Sequence, residues 1–187
     1  MQSIKDKQKL QKRITNRQAI NNRNRNNKIN DYMNKTARKI INYCLDNNIG
    51  NLVCGYNETF QKDTNIGKVN NQNFTQIPLG KLLEKLEYLC MFYGIEFIKQ
   101  EESYTSKASF FDQDKLPIYN ADNPRKYEKY DFSGKRIKRG LYQQSNGLLL
   151  NADVNGALNI LRKSKVVSLD TLYHRGEVDT PIRIRIA

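Results

Sequence analysis

Between residues 51 and 100 the sequence switches from strand to helix and back to strand, and few architectures accept that order. Asn51–Tyr56 reads NLVCGY, a short apolar run behind the turn signals Asn47, Asn48 and Gly50, which predicts a buried strand. The stretch PLGKLLEKLEYLCMFYG then places Leu79, Leu82, Leu83, Leu86, Leu89, Cys90 and Tyr93 on one helical face, with Lys81, Glu84, Lys85 and Glu87 mostly opposite. Pro78 opens this helix and Gly94 closes it. IEFIKQ at 95–100 is the second strand. Strand, helix and strand in this order predict a right-handed crossover in an α/β sheet.

Upstream, Ile29, Met33, Ala37, Ile40, Cys44 and Leu45 form a stripe at helical spacing, with Lys28, Lys35, Arg38 and Lys39 off it. Residues 1–28 are a basic arm rich in Asn, carrying Arg13, Arg17, Arg23, Arg25 and Lys28 among its cations. Asn lowers helix propensity, so a broken or partly disordered helix is expected there. Such an arm can lie along phosphates or serve as a solvated linker. Residues 57–77 read as a loop, and 103–135 as irregular and rich in Tyr, Asp and Pro. KRIKRGLYQQ and LLLNAD flank Ser145, Asn146 and Gly147 and predict a hairpin. Asp153–Lys163 is a last helix with Val154, Ala157, Leu158 and Leu161 inward, and the tail ends in PIRIRIA, read as an edge strand.

The charge narrows the partners. The 187 residues carry 32 Lys+Arg against 19 Asp+Glu, a net +13, and the cations cluster. That balance points to a polyanion. Lys135, Arg136, Lys138 and Arg139 lie beside Tyr130, Phe132 and Tyr142, a mixture suited to single-stranded nucleic acid, with a solvated hairpin face as the competing reading. No stretch approaches the roughly 18 apolar residues needed to cross a bilayer, and Met1–Leu10 lacks the apolar run of a signal peptide. Cys44, Cys54 and Cys90 are far apart in sequence and form no CxxC pair, which fits reduced core thiols in a cytosol. His174, the single histidine, is given a surface or tail role.

Two places put a carboxylate at the end of a core element. Glu101 and Glu102 follow the strand IEFIKQ, and Asp153 follows LLLNA and opens a helix. Sites in α/β sheets gather at strand ends and helix starts. Carboxylates converging there would hold Mg²⁺, whose hard ligands are oxygens. A pair of such ions can activate water and stabilise a phosphodiester's leaving oxygen. Acidic residues near loops are also common without any such role.

The blocks NNKINDYMNKTARKIINYCLDNNIGNLVCGYNETFQ, QIPLGKLLEKLEYLCMFYGIEFIKQEESYTSKASF and SGKRIKRGLYQQSNGLLLNADVNGALNILRK resemble the TnpB family, transposon-encoded RNA-guided DNA endonucleases related to type V CRISPR nucleases. The resemblance runs from about residue 2 to the end and rests chiefly on ESYTSK and NADVNGALNILR. It implies an RNase H-like (RuvC) mixed α/β sheet with flanking helices, in which an Asp, a Glu and a second Asp bind Mg²⁺, two ions in the complete site. Asp153 resembles the final Asp. Gly55 stands where the central Glu is usual, and some branches move that Glu to the strand before the YTS motif. Glu102 fits the moved position, with Glu101 as the fallback; alternation along a strand lets only one of them face the site. Glu58 reads as a loop acid.

The strand bearing the family's first Asp has no counterpart between Met1 and Asn51. The resemblance therefore implies a C-terminal, N-terminally truncated portion, incomplete at its first strands and served by a separate chain supplying the other half. Its expected organisation is a basic arm at 1–28, a RuvC-like core part at 29–102, an insert at 103–147 and a RuvC-like C-terminal part and tail at 148–187. The insert stands in place of the family's zinc-binding (target nucleic-acid-binding) domain. Where relatives carry two CxxC pairs this chain has Ser109 and Asp112, then Gln144 and Gly147, so a zinc-less branch is expected. Phe110, Phe111, Tyr119 and Tyr142 would hold the insert by packing. Thr105, Ser106 and Lys107 are expected either to touch phosphate or to form a simple turn. The implied partners are guide RNA and target DNA, and the implied location is cytoplasmic, at the nucleoid. With two of three carboxylates the chain alone is expected to be inactive as a nuclease. The alternatives are a catalytically inactive nucleic-acid-binding remnant and a fragment that aggregates through an exposed sheet edge.

Overall fold

The structure, a computed structural model, describes residues 15–57, 79–118, 130–175, 181 and 184–186. Its elements in chain order are α1 (Asn16–Asp46), β1 (Asn51–Tyr56), α2 (Leu79–Tyr93), β2 (Glu96–Glu101), β3 (Lys135–Lys138), β4 (Leu141–Gln143), β5 (Leu149–Asn151), α3 (Ala152–Ser164) and α4 (Asp170–Arg175).

The strand–helix–strand expectation holds. β1 and β2 pair in parallel, from Asn51 opposite Glu96 to Tyr56 opposite Glu101. α2 is the crossover between them. Gly94 follows it at φ 71°, a left-handed conformation that spares a side-chain clash, and the Ile95 amide donates to the Cys90 carbonyl. The core lies between this pair and two helices. Ala37, Ile41 and Cys44 of α1 meet Leu86 and Cys90 of α2 and Ile95, with Leu52, Cys54 and Phe97 packed against them from the sheet. Successive strand residues point to opposite faces. The face carrying Leu52 and Cys54 is thus covered by α1 and α2, and the face carrying Gly55 by Ile160 of α3.

The three cysteines, distant in sequence, converge here. Burial pushes all three thiols up, Cys54 to about 11, with Cys90 and Cys44 adding to the effect on Cys54. They are packed, protonated thiols.

Several local expectations need correction. The Asn-rich stretch is not a broken helix in its described part: α1 runs unbroken from Asn16 to Asp46. A capping box closes its start, with the Gln18 amide donating to the Thr15 hydroxyl and the Gln18 side chain accepting from the Thr15 amide. The packed second half supplies the nucleus, from which extension costs little per residue. The buried stripe includes Ile41, fully buried, and leaves Leu45 exposed, so the face is turned from the expected one. β1 is half-buried rather than buried, because the described sheet that holds it has two strands. In α3, Ala157 is exposed and the buried positions are Ala152, Asn155 and Asn159. In the tail, none of residues 181 and 184–186 is in a strand.

A second, antiparallel sheet has the order β3-β4-β5, its last strand lying beyond the expected insert at 103–147. The predicted hairpin at Ser145–Gly147 joins β4 to β5, with the Gln144 amide donating to the Leu148 carbonyl and Gly147 at φ 86°. β3 joins the same sheet with a register shift between Arg136 and Lys138.

Candidate functional site

The two glutamates at the end of β2 have opposite surroundings. Glu101 is tied: one carboxylate oxygen accepts from the Ser103 amide at 2.6 Å and the other from the Lys163 ammonium. Burial pushes its carboxyl up, but the hydrogen bonds from Lys163 and Ser103 outweigh this and leave it below the usual range. Glu102 receives no such bond among the described residues. Its carboxylate lies across β1, so that a Cβ built on Gly55 would sit 2.6 Å from its Oε2 and 2.8 Å from Cδ1 of Ile160. Burial, and then the neighbouring charge of Glu101, push the Glu102 carboxyl up. The bare glycine in NLVCGY is therefore the space that Glu102 occupies.

Asp153 starts α3, whose N-cap Asn151 accepts from the amides of Asp153 and Val154 at 2.9 and 3.1 Å. It stands seven residues before Ile160, on nearly the same helical face and about 10 Å along the axis from the Ile160–Glu102 contact. Glu102 thus lies near Ile160, two turns further along α3 than Asp153. The Asp153 carboxylate is exposed and lies 3.9 Å from the Arg136 guanidinium of β3. Among the described residues no three Asp, Glu, His or Cys side chains form a group that could hold a metal ion.

The loop ESYTSKASF begins at Glu102, and α3 grips its main chain. The Phe110 amide donates to the Asn155 side chain, which in turn donates to the Ala108 carbonyl at 2.8 Å. Asn159 donates to the carbonyls of Thr105 and Ala108 at 2.9 and 2.7 Å. Both asparagines are fully buried. Apolar patterning pointed to the other faces of this helix and missed them; the available signal was the Asn–Asn spacing of four in NADVNGALN. The Thr105 hydroxyl donates to the Glu102 carbonyl, and Thr105 is buried, so it completes the turn and is not presented to a phosphate. Ser106 and Lys107 are exposed.

Residues 109–145 carry a carboxylate clamp that local sequence patterns do not foretell. Asp112 accepts from the hydroxyl of Ser109 and from both the amide and hydroxyl of Ser145. Asp114 accepts from the amides of Ser109 and Ser133 and from the Ser133 hydroxyl. Burial pushes Asp112 up, but the bonds from Ser109 and Ser145 bring it below the usual range. Phe110 and Tyr142 are fully buried beside the clamp, as the packing expectation had it. The Tyr142 hydroxyl donates to the Lys107 carbonyl at 2.8 Å, and burial with the Asp114 and Asp112 charges pushes it up to about 12. Phe111 is edge-on to Phe110 at 5.2 Å; Tyr119 lies outside the described residues.

The basic candidates divide by position. Arg17, Arg23, Arg25 and Lys28 are exposed along the first half of α1, and Arg13 lies outside the described residues, as does Glu58. Lys35 and Arg38 line a groove of about 730 Å³ between α1 and α2, with Lys39, Lys85 and Tyr88. Arg38 lies over the Tyr93 ring at 5.4 Å and donates to its hydroxyl. Lys135, Arg136, Lys138 and Arg139 are all exposed on or just after β3. Tyr130 and Phe132 flank Tyr104, with ring centroids 5.0 and 6.2 Å away.

The elements form a mixed α/β fold with exposed basic residues and carboxylates at its strand and helix ends. Residues 80–160 match the family described as Cas12f1-like, TNB domain, and residues 1–61 match the OrfB_IS605 family, described as a probable transposase. A cryo-EM structure of a Cas12f1–sgRNA–target DNA complex superposes with a TM-score of 0.54 at 20% identity, covering 78% of this chain and 36% of that one. No curated protein matches the chain. The two matched segments fit a TnpB-family relative, and the chain shares its mixed α/β fold with just over a third of the Cas12f1 chain. No helix among the described residues is long and apolar enough to cross a membrane.

Proposed function

We propose that this chain is the RuvC-like, RNase H-type portion of an RNA-guided DNA endonuclease, binding guide RNA and target DNA. In this reading Glu102 and Asp153 are two of the three carboxylates of a Mg²⁺ site, and the third comes from elsewhere. The observation that carries it is the Glu102 carboxylate: half-buried, without a hydrogen-bond donor among the described residues, and turned toward the helix that Asp153 opens. A buried carboxylate left without a donor is costly unless a cation completes its surroundings. The donor set is all oxygen, which suits Mg²⁺. Bound there, the ion would stabilise charge on a phosphodiester. The protein's own part is to hold Glu102 over Gly55 and Asp153 at the helix start, with Ser106, Lys107 and the β3 cations placed to take backbone phosphates.

Among the described residues no third carboxylate completes the site, and on this reading the chain alone does not cut. The test is incubation of the purified chain with a guide RNA and matching DNA in Mg²⁺, beside Asp153→Ala. No cleavage above the variant is expected. Robust cleavage abolished by Asp153→Ala would refute the incomplete-site reading. A second reading, a binding module without catalysis, is favoured by the exposed Arg136–Asp153 contact, which gives Asp153 a partner other than metal. The same preparation separates them: Glu102→Gln and Asp153→Asn each weaken Mn²⁺ binding in the first reading and leave it unchanged in the second.

A further inference from the structure

Adjacent residues at a strand end pose a selection problem. Glu101 is the last residue paired in β2, so beyond it no ladder bond fixes which way the chain turns. One of two neighbouring glutamates must face α3 and the other must be held off.

Lys163 is placed to make that choice. Its side chain is 8% exposed, on a residue type that is almost never buried without partners. Each of its three N–H donors finds an acceptor: the Glu101 carboxylate, the Ser103 carbonyl at 3.1 Å and the Pro117 carbonyl at 3.1 Å. The second Glu101 oxygen takes the Ser103 amide. Both Glu101 oxygens are thus engaged, and the backbone on either side of the loop, at 103 and 117, is drawn to the same ammonium. Glu102, next in the chain, is left over Gly55.

We propose that Lys163 is a positioning residue that holds Glu101 away from the cleft over Gly55 and so leaves Glu102 to face it. This rests on the reading of Glu102 as a metal ligand. A buried ammonium requires a counter-charge, and Glu101 supplies it. Take the lysine away and Glu101 becomes a second free carboxylate beside the first, able to compete for the same cation. The device spans the fold: the choice made at the end of β2 is set from the last turn of α3.

The experiment uses the whole chain with ¹³C-carboxyl glutamate, Mn²⁺ as the probe, and hydrogen exchange at the Ser103 amide. In the wild type, Mn²⁺ should broaden Glu102 more than Glu101. In Lys163→Met both should broaden, and Ser103 should lose protection. Adding Glu101→Gln to Lys163→Met should return the Glu102 broadening to its wild-type extent, because the competing carboxylate is gone, a rescue that a merely structural lysine would not show. A Lys163→Met protein that keeps the wild-type broadening pattern, or an unaltered Ser103 protection, overturns the proposal. If Mn²⁺ broadens neither glutamate in the wild type, the metal reading fails, while Ser103 exchange still decides the role of Lys163. Should Lys163→Met not fold, Glu101→Gln alone serves: retained Mn²⁺ at Glu102 supports the assignment, and its loss shows Glu101 to be the ligand and overturns it.

Discussion

Without a bound metal, Glu102 has a stability consequence of its own. Its folded carboxyl is raised above its ordinary value of 4.5 by burial and then by Glu101. The native state therefore holds a proton longer than the unfolded chain does. Stability falls as pH rises through the window above 4.5, and the penalty is complete once the native carboxyl has ionised. Glu102→Gln should be more stable than wild type at neutral pH, with the difference vanishing at acid pH; urea unfolding at both values measures it. Gly55→Ala should act on the same carboxylate. The atoms it meets are side-chain tips, so the strand survives and Glu102 moves, at the low end of the about 1–3 kcal/mol typical of overpacking. The ¹³C shift of the Glu102 carboxyl reads the displacement. The sequence offered both glutamates at this site and favoured Glu102 by family likeness alone. The physical reason for the choice lies in Lys163, 62 residues away from Glu101, and in a glycine on another strand. Neither is visible in the local pattern EESYTSK.

At the scale of elements, the crossover unit was legible because its periods change cleanly from strand to helix and its ends carry Asn, Pro and Gly. The first half of α1 was not, since propensity undervalued a helix nucleated by its packed second half and capped by Thr15 and Gln18. The insert was illegible for a different reason. The sequence there offered only missing cysteines, while the tie seen runs from Asp112 to Ser109 and, 33 residues along, to Ser145, residues that look like ordinary loop residues. Asp112→Ala should cost about 1–3 kcal/mol, because it leaves three donors unpaired. Faster hydrogen exchange at the Ser145 amide would localise the loss. Because hydrogen bonds hold Asp112 below its usual range, this stabilisation is present at neutral pH and disappears as pH falls through the folded value. Gly134→Ala should be worse tolerated than Gly55→Ala, since its Cβ would meet the backbone carbonyl oxygen of Gln143 at 2.6 Å, which cannot step aside as a side-chain tip can. The difference in urea midpoint between the two variants checks this.

The chain carries a net charge of +13, and among the described residues exposed cations cluster along the first half of α1 and on β3. Binding to single-stranded RNA or DNA should weaken steeply with salt. Replacing Lys135, Arg136, Lys138 and Arg139 by Ala should flatten the slope of log K against log salt by about 3, at roughly 0.7 for each phosphate no longer neutralised. An unchanged slope would place the binding surface elsewhere. Charge and family likeness made this reading available from sequence; the three-dimensional relation of Glu102 to Asp153 was not, because it depends on how α3 lies across the sheet. That lie has one more effect. Asn155 and Asn159 fasten residues 105, 108 and 110 by their peptide groups rather than their side chains. The path of the loop is thereby uncoupled from its outward lettering. Ser106 and Lys107 can be exchanged for other residues while the backbone beneath them stays put, so the chemistry shown to a ligand here is free to drift or be re-engineered without renegotiating the architecture.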